Sequence, residues 1–303
     1  MLLRSLQEAA ITRYVAEHQE AAIQPVAVAP AAPEVTEDHV INMVMNADSA
    51  PDRGPGQDGH RRLHVSKLVD LCPRQFFLTR THDIDAPTSI TSGLHITFAQ
   101  GRAIEDHVVS QVISTVSPAG LWGVWKCRCG HIRREGVFSN LITCARCNTQ
   151  PTRYGQPTLV YEPWQVVGRP DLTLIINGTH LFPVEIKSMA RRQWEQLREP
   201  RGDHVVQALL YHWLMGERNQ PTVPYISLVY VAKEFIYGNP YKEFHVDVRT
   251  ERSQTMLSAA LDNARETAEA LRTGVIPPRT VCLDSNCTRA KECPVATLCF
   301  NLE

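Results

Sequence analysis

The stretch Gly168 to Lys187, GRPDLTLIINGTHLFPVEIK, constrains this chain more than any other. Leu172 to Ile176 is an apolar, β-rich run, Asn177-Gly178 is a strong turn signal, and Leu181 to Ile186 resumes the strand. That order predicts a β-hairpin. Its return brings Glu185 back beside Asp171 at the open end. Side chains alternate along a strand, so Glu185 and Lys187 share one face while Val184 and Ile186 point to the other, into a core. Two carboxylates and an ammonium then converge on one point.

Such a constellation has a chemical use. Carboxylates are hard oxygen ligands for Mg²⁺, which keeps several waters, and a bound metal turns one of them into a nucleophile near neutral pH. A neighbouring lysine orients that water or stabilises charge developing on a phosphate. Taken alone, Asp…Glu-x-Lys also describes an ordinary hairpin with solvated charges at its ends, so the rest of the chain decides.

Two helical segments bear on the decision. Gln207 and Tyr211, in HVVQALLYHWLM, lie four apart on an apolar helix and project from one face. Upstream, in FAQGRAIEDHVVSQV, Gly101 is followed by Glu105 and His107, with Ile104, Val108 and Val112 forming an apolar stripe. Glu105 lies one position round from Ile104, at the border of that stripe.

In that order, a Gly-x-x-x-Glu helix, a Gly-x-x-Asp…Glu-x-Lys hairpin and a Gln-x-x-x-Tyr helix resemble the RecB-like branch of the PD-(D/E)XK nucleases. The resemblance spans about residues 64 to 299. It implies that Glu105, Asp171 and Glu185 hold Mg²⁺ or Mn²⁺, with the main-chain carbonyl of Ile186 as an extra ligand. Lys187 would assist the attacking water, and Gln207 and Tyr211 would complete the site. Many relatives that bear an iron–sulfur cluster place a histidine at the position matching Glu105; here His107 comes two residues later and is held in reserve.

Composition narrows the class of protein. A chain of 303 residues with 43% hydrophobic content builds an ordinary globular core. Its formal charge of −1 gives no global basic field, so contact with DNA must be made by local patches. No apolar run approaches the roughly 20 residues of a membrane helix, and the start of the chain lacks the pattern of a signal peptide. The expected setting is the cytoplasm of a bacterial cell or phage-infected host, with no membrane partner.

Residues 1–60 read as an N-terminal helix or tail, Leu2 to Ala22, followed by an Ala/Pro-rich flexible linker; 61–303 read as the nuclease domain. Ser66 is a plausible N-cap for a helix running through Leu68, Val69 and Leu71 to Cys72-Pro73-Arg74. After the hairpin, Arg191, Arg192, Arg198 and Arg201 make a basic patch suited to phosphates. Ile226 to Ala232 is a continuous apolar strand, and Tyr241 to Val248 alternates like an edge strand. Thr250 to Thr273 is a long helix with Leu257, Ala260, Leu261, Ala264, Ala268 and Leu271 as its buried side. The expected architecture is α/β: a mixed central sheet containing the 164–187 hairpin and the later strands, flanked by helices at 98–115, 203–216 and 250–273.

Nine cysteines in a chain without a secretion signal point to metal binding before disulfides. Cys127, Cys129, Cys144 and Cys147 have nearly the spacing of a zinc ribbon, inserted at about 122–153, although the first knuckle is one residue tight. His131 is the alternative ligand to Cys127 or Cys129. Lys126, Arg128, Arg133, Arg134 and Arg153, with Trp122 and Trp125, suggest DNA contact through phosphate pairing and base stacking; a structural clip is equally consistent. With Cys72 before the core and the cluster at 282–299 after it, the chain looks like the fourth CRISPR-associated protein family, iron–sulfur exonucleases that also occur in phages. That resemblance implies a [4Fe–4S] cluster on Cys72, Cys287, Cys293 and Cys299, with Cys282 the alternative to Cys287. It further implies cleavage of DNA, mainly single-stranded, from a free end, alongside recombination or CRISPR-adaptation proteins. The competing readings are a catalytically silent DNA-end-binding adaptor and an endonuclease on the same fold.

Overall fold

The structure is a computed structural model and describes residues 62–84, 92–115, 120–131, 133–137, 143–234 and 236–302. The expected N-terminal helix and linker lie outside the described residues. Strands β7 (Leu172–Ile176) and β8 (His180–Met189) form the hairpin, paired antiparallel with Leu172 opposite Val184 and Ile176 opposite His180. Asn177 and Gly178 both take positive φ in the connection, at 51° and 74°. These are backbone angles that asparagine and glycine tolerate better than other residues, so the turn sets the register.

The central sheet has four strands in the order β10-β9-β8-β7. Strand β9 (Tyr225–Ala232) pairs parallel with β8, and β10 (Tyr241–Asp247) pairs antiparallel with β9 at the edge. A parallel return needs a crossover, and the chain between β8 and β9 supplies it with helices α4 (Arg191–Gln196) and α5 (Gly202–Glu217). All residues of β9 are buried, as expected of a continuous apolar run with cover on both faces.

Helix α3 (Ser92–Thr115) contributes Val108 and Val112 to a core with Leu172, Leu174, Val184 and Ile186. On the other side, α5 packs Val205, Ala208 and Leu209 against Ile226, Leu228 and Tyr230. The sheet is thus sandwiched, with Val184 and Ile186 turned toward α3, and Glu185 and Lys187 toward α5. Helix α6 (Glu251–Thr273) is capped by Thr250, whose side chain accepts from the Ser253 amide, and ends at Gly274 with φ of 75°.

Four expectations need correction. The segment Val166–Gly168 is β6 of a separate sheet, between β1 (Leu63–His64) and β5 (Leu159–Tyr161), and not part of the central hairpin. Pro170 has no N–H to continue a ladder, and the chain breaks there. The helix expected to run from Ser66 to Arg74 is two: α1 (Val65–Leu68), with His64 at its N-cap, and α2 (Pro73–Thr81). Pro73 starts the second at a position where a missing N–H is harmless, and the Cys72 sulfur caps it. On α6 the buried stripe ends with Thr267 and Ala270, leaving Leu271 37% exposed. The small Ala270 packs beside Phe77 and Leu78 of α2. Finally, Trp122 and Trp125 are only 6% and 2% exposed, so neither is a stacking platform for bases.

Those tryptophans belong to the third sheet, β3-β2-β4, which carries the cysteine insert. Strand β2 (Trp122–Lys126) pairs with β3 (Arg133–Val137) and β4 (Arg153–Gly155). The Trp125 indole N–H donates to the Gly136 carbonyl at 3.0 Å, and its ring meets Tyr154 edge-on at 5.5 Å. Leu121 bridges Leu174 of β7, docking the insert on the hairpin. Among the described residues, no helix is long and apolar enough to cross a membrane.

Candidate active site and cysteine centres

The register that pairs Leu172 with Val184 sets Asp171 across from Glu185. The Ile186 N–H donates to Asp171 Oδ2 at 2.8 Å, locking the aspartate to the returning strand. Lys187 Nζ donates to Glu185 Oε1 at 2.7 Å and to Gln207 Oε1 at 2.9 Å. From α5, Gln207 Nε2 donates to the same Glu185 oxygen and to the Tyr211 hydroxyl, both at 2.9 Å. The i, i+4 spacing on one helix face makes that second contact possible. Thus Asp171, Glu185, Lys187, Gln207 and Tyr211 form one connected group.

Glu105 joins them from α3, while His107, two residues on, is exposed. Two helical positions are about 200° of rotation, which carries the imidazole to the other side of the helix. Two glycines of the motifs allow the close packing. A Cβ on Gly101 would lie 3.3 Å from Ser188 Oγ of β8. On Gly168 it would come within 2.8 Å of both the Tyr211 ring and Val65.

A residue without a signal in the sequence completes the site. Gln156, in the loop after β4, donates through Nε2 to Glu105 Oε1 at 2.7 Å and to Asp171 Oδ1 at 3.1 Å. It lies in an irregular segment, so no period or motif marks it.

Burial dominates the electrostatics. Asp171 is 8% exposed and Glu185 2%. Asp171 is held well above the ordinary carboxylate range by burial first, then by Glu185 and Glu105. Burial also raises Glu185, against the favourable charge of Lys187. Burial alone would lower Lys187, but Glu185, Asp171 and Glu105 outweigh it and hold the ammonium above its usual value. Tyr211 stays a neutral phenol, raised by burial and then by the same acids. Three carboxylates facing one ammonium leave an excess of negative charge that a divalent cation suits.

One atom tests that fit directly. Glu185 Oε2 is buried and has no hydrogen-bond partner, although its sister oxygen has two. An unsatisfied buried carboxylate oxygen costs about 1–3 kcal/mol or more unless a cation or proton meets it. Together with the hard oxygens of Asp171 and Glu105, this donor set fits Mg²⁺ or Mn²⁺.

The insert has a centre of its own. The ligand atoms of Cys127, Cys129, Cys144 and Cys147 all lie within 4.8 Å of one another. Sulfur–sulfur separations are 3.5 Å for Cys127–Cys129 and 3.7 Å for Cys129–Cys144. A tetrahedral ion with metal–sulfur bonds of about 2.3 Å sets edges of about 3.8 Å. The Thr149 hydroxyl, 2.9 Å away, pulls Cys147 down to about 6. At Cys129 the His131 backbone favours the thiolate, but desolvation and the crowded neighbouring thiols win and push it up to about 12. The four cysteines make the group without His131.

At the C-terminus, Cys72, Cys282, Cys293 and Cys299 line one cavity with Arg74. Cys287 instead caps α7 (Thr288–Glu292), its sulfur accepting from the Ala290 amide at 3.3 Å. Burial and then Cys287 and Cys72 raise Cys282 to about 11. Arg74 is itself a staple: it donates to Cys299 Sγ at 3.2 Å and to the carbonyls of Pro277, Cys299 and Leu302. The basic patch is less free than its sequence suggests. Arg191 pairs with Glu195 at 2.7 Å and Arg201 with Asp203 at 2.8 Å.

Residues 131–300 match the family model of the PD-(D/E)XK nuclease superfamily, and the chain belongs to that superfamily. The matched span holds Asp171, Glu185, Lys187, Gln207 and Tyr211; Glu105 precedes it. No curated protein matches the chain. Among solved structures it is similar to SSO0001, at 14% identity and a TM-score of 0.32, covering 75% of this chain and 84% of that one. It is also similar to an alkaline exonuclease, LHK-Exo, from Laribacter hongkongensis, at 13% identity and a TM-score of 0.37, with 70% and 92% coverage. LHK-Exo in complex with dAMP gives 12% identity, a TM-score of 0.40 and the same coverage.

Proposed function

We propose that the protein is a Mg²⁺- or Mn²⁺-dependent deoxyribonuclease that digests DNA from a free end, mainly single strands. The observation that carries this reading is the buried Asp171–Glu185–Lys187 group with its unpartnered Glu185 oxygen. Asp171, Glu185 and Glu105 would hold the ion, with the Ile186 carbonyl as a further ligand. Bound there, it would polarise a phosphate oxygen and make a bound water nucleophilic near neutral pH.

The chain's own residues do the rest. Lys187 carries an ammonium with three donors; two are spent on Glu185 and Gln207, and the third is available for the attacking water or a phosphate oxygen. Gln207 holds that ammonium in place, and Tyr211 holds Gln207. The Ile186 N–H keeps one Asp171 oxygen occupied, so that the other faces the site. Arg191 and Arg201 are in exposed ion pairs worth little, which a DNA phosphate can displace.

The finer assignment is to the iron–sulfur nucleases of the fourth CRISPR-associated family and their phage relatives, acting in the cytoplasm in recombination, repair or CRISPR adaptation. Zn²⁺ would occupy Cys127, Cys129, Cys144 and Cys147. A [4Fe–4S] cluster would take Cys72, Cys293, Cys299 and one of Cys282 and Cys287, whose thiols lie against each other beside the cavity. Four thiolates around a cubane stand further apart than around one ion, which suits a cavity better than a tight quartet.

The test is digestion of end-labelled linear, end-blocked and circular DNA, single- and double-stranded, with Mn²⁺ or Mg²⁺. Loss of linear single strands alone, abolished in Asp171→Ala, is the expected result. Cutting of circles would make it an endonuclease, and binding of ends without cutting would make it an adaptor.

A further inference from the structure

Gln156 is the residue that joins Glu105 to the other carboxylates, and its position is specified with care. It follows β4 directly, and β4 is held in register by Trp125 opposite Tyr154 and Val124 opposite Gly155. The Tyr154 ring lies over Gly123, where a Cβ would come within 2.3 Å of it, and its hydroxyl donates to the Trp122 carbonyl at 3.4 Å. The strand that leaves the cysteine insert therefore delivers the carboxamide to the acidic site.

The chemistry at that point is selective. Glu105 arrives on α3, on the opposite face of the sheet from Gln207, and Asp171 sits at the hairpin mouth. Two carboxylates brought together at one point repel. One amide nitrogen with two hydrogens satisfies both, at 2.7 Å and 3.1 Å, without adding charge. A lysine there would neutralise the acids and repel a metal ion. A carboxamide has a second use, because a half-turn about its last bond replaces the donor by an oxygen.

We infer that Gln156 is a positioning residue of the metal site: its carboxamide holds Glu105 and Asp171 in one coordination set and so fixes the site's affinity for a divalent cation. This rests on the metal-site reading above. Gln156 also makes the cysteine insert a support of that site, since β4 is shared. Residues that orient metal ligands typically contribute about 10- to 100-fold in metal affinity.

The experiment is calorimetric titration of the full chain with Mn²⁺, without DNA, for the wild type, Asp171→Ala, Gln156→Met and Gln156→Leu. Melting curves in EDTA report the fold of each. Gln156→Met keeps the side chain's length and loses the amide; it should bind Mn²⁺ about tenfold or more weakly while melting in EDTA near the wild type, which a purely packing role does not produce. Gln156→Leu removes the same two donors with a shorter, branched side chain and should show the same loss. Wild-type affinity in either variant overturns the inference alone. A wild type with no Mn²⁺ site that Asp171→Ala removes brings down the metal-site reading and the inference with it. Should Gln156→Met melt far below the wild type, Gln156→Leu decides on the same terms.

Discussion

Lys187 and Glu185 stand two residues apart on one strand, and their contact at 2.7 Å uses only one oxygen of a carboxylate that is almost wholly buried. The pair is therefore half of an arrangement, and its halves respond differently to substitution. Lys187→Ala leaves Glu185 buried without its cation, which costs up to about 3–5 kcal/mol in comparable pairs, less what protonation of the acid recovers. Glu185→Gln removes the buried charge and should melt in EDTA at or above the wild-type temperature. Both variants, with Asp171→Ala, should lose DNA cleavage by about 100-fold or more. A thermal melt beside an activity assay separates the two effects, and wild-type digestion by Asp171→Ala would sink the site.

The raised carboxylates give a pH dependence of definite sign. Asp171 and Glu185 hold protons more tightly folded than unfolded. Their contribution is neutral below the ordinary carboxylate range, and stability is lost as pH rises from about 4 upward, because the folded form must then give up protons in a buried site. A divalent cation that takes the place of those protons reverses the loss. The increase in melting temperature on adding Mn²⁺ over EDTA should thus grow as pH rises above the ordinary carboxylate range of about 4. An increment independent of pH, or one retained in Glu185→Gln, would contradict it.

His204 has the opposite sign. The Arg201 amide donates to the Tyr230 hydroxyl at 3.0 Å, so that hydroxyl turns its own proton to His204 Nδ1 at 2.9 Å. Burial first, then the Lys187 cation, lowers His204 to about 4. Its folded pKa lies below its unfolded value, so stability present above about pH 6.5 is lost as pH falls toward 4 and changes no further below that. His204→Gln should flatten that part of the stability curve in EDTA. A curve as steep as the wild type's between pH 6.5 and pH 4 assigns the loss to other groups.

The hairpin was legible in the sequence because turn chemistry fixes its register locally. Asn177-Gly178 determines which residues face one another, and Asp171 and Glu185 follow from that alone. The α5 pair was legible for a similar reason, since Gln207 and Tyr211 are one turn apart. Gln156 was not, because its contacts with Glu105 and Asp171 depend on where β4 leaves the insert. The tryptophans misled through composition: basic neighbours suggested a nucleic-acid surface, yet Trp125 spends its N–H on Gly136 and fills the space between insert and hairpin. Pro73 misled by position, as a proline reads equally as the end of one helix or the start of the next. Cys282 and Cys287 are five apart in sequence, and their thiols lie against each other in the fold, so neither spacing nor position separates them.

Arg74 offers a test of the C-terminal centre that does not depend on choosing among cysteines. It is 8% exposed and reaches across more than 200 residues of sequence to Pro277, Cys299 and Leu302. Each such bond from a charged donor contributes about 1.5–3 kcal/mol, and removing the guanidinium leaves several buried carbonyls unpaired. Arg74→Ala should therefore release the segment after Pro277 to proteolysis while the central sheet stays folded. If Cys299 ligates a cluster, the Arg74 N–H on its sulfur also tunes that ligand. Protein purified without oxygen should then be brown, with a broad visible absorbance that Cys72→Ser and Cys293→Ser bleach. Arg74→Lys keeps the charge but loses the planar fork that serves four acceptors, so it should fall between wild type and alanine in both protease resistance and colour. Colourless wild-type protein would exclude the cluster and leave Arg74 to hold the terminus together with the Arg289–Asp70 pair and the packing of Val295 on Phe77 and Leu78, whereas brown protein with full protease resistance in Arg74→Ala would show that Arg74 is not needed to hold it.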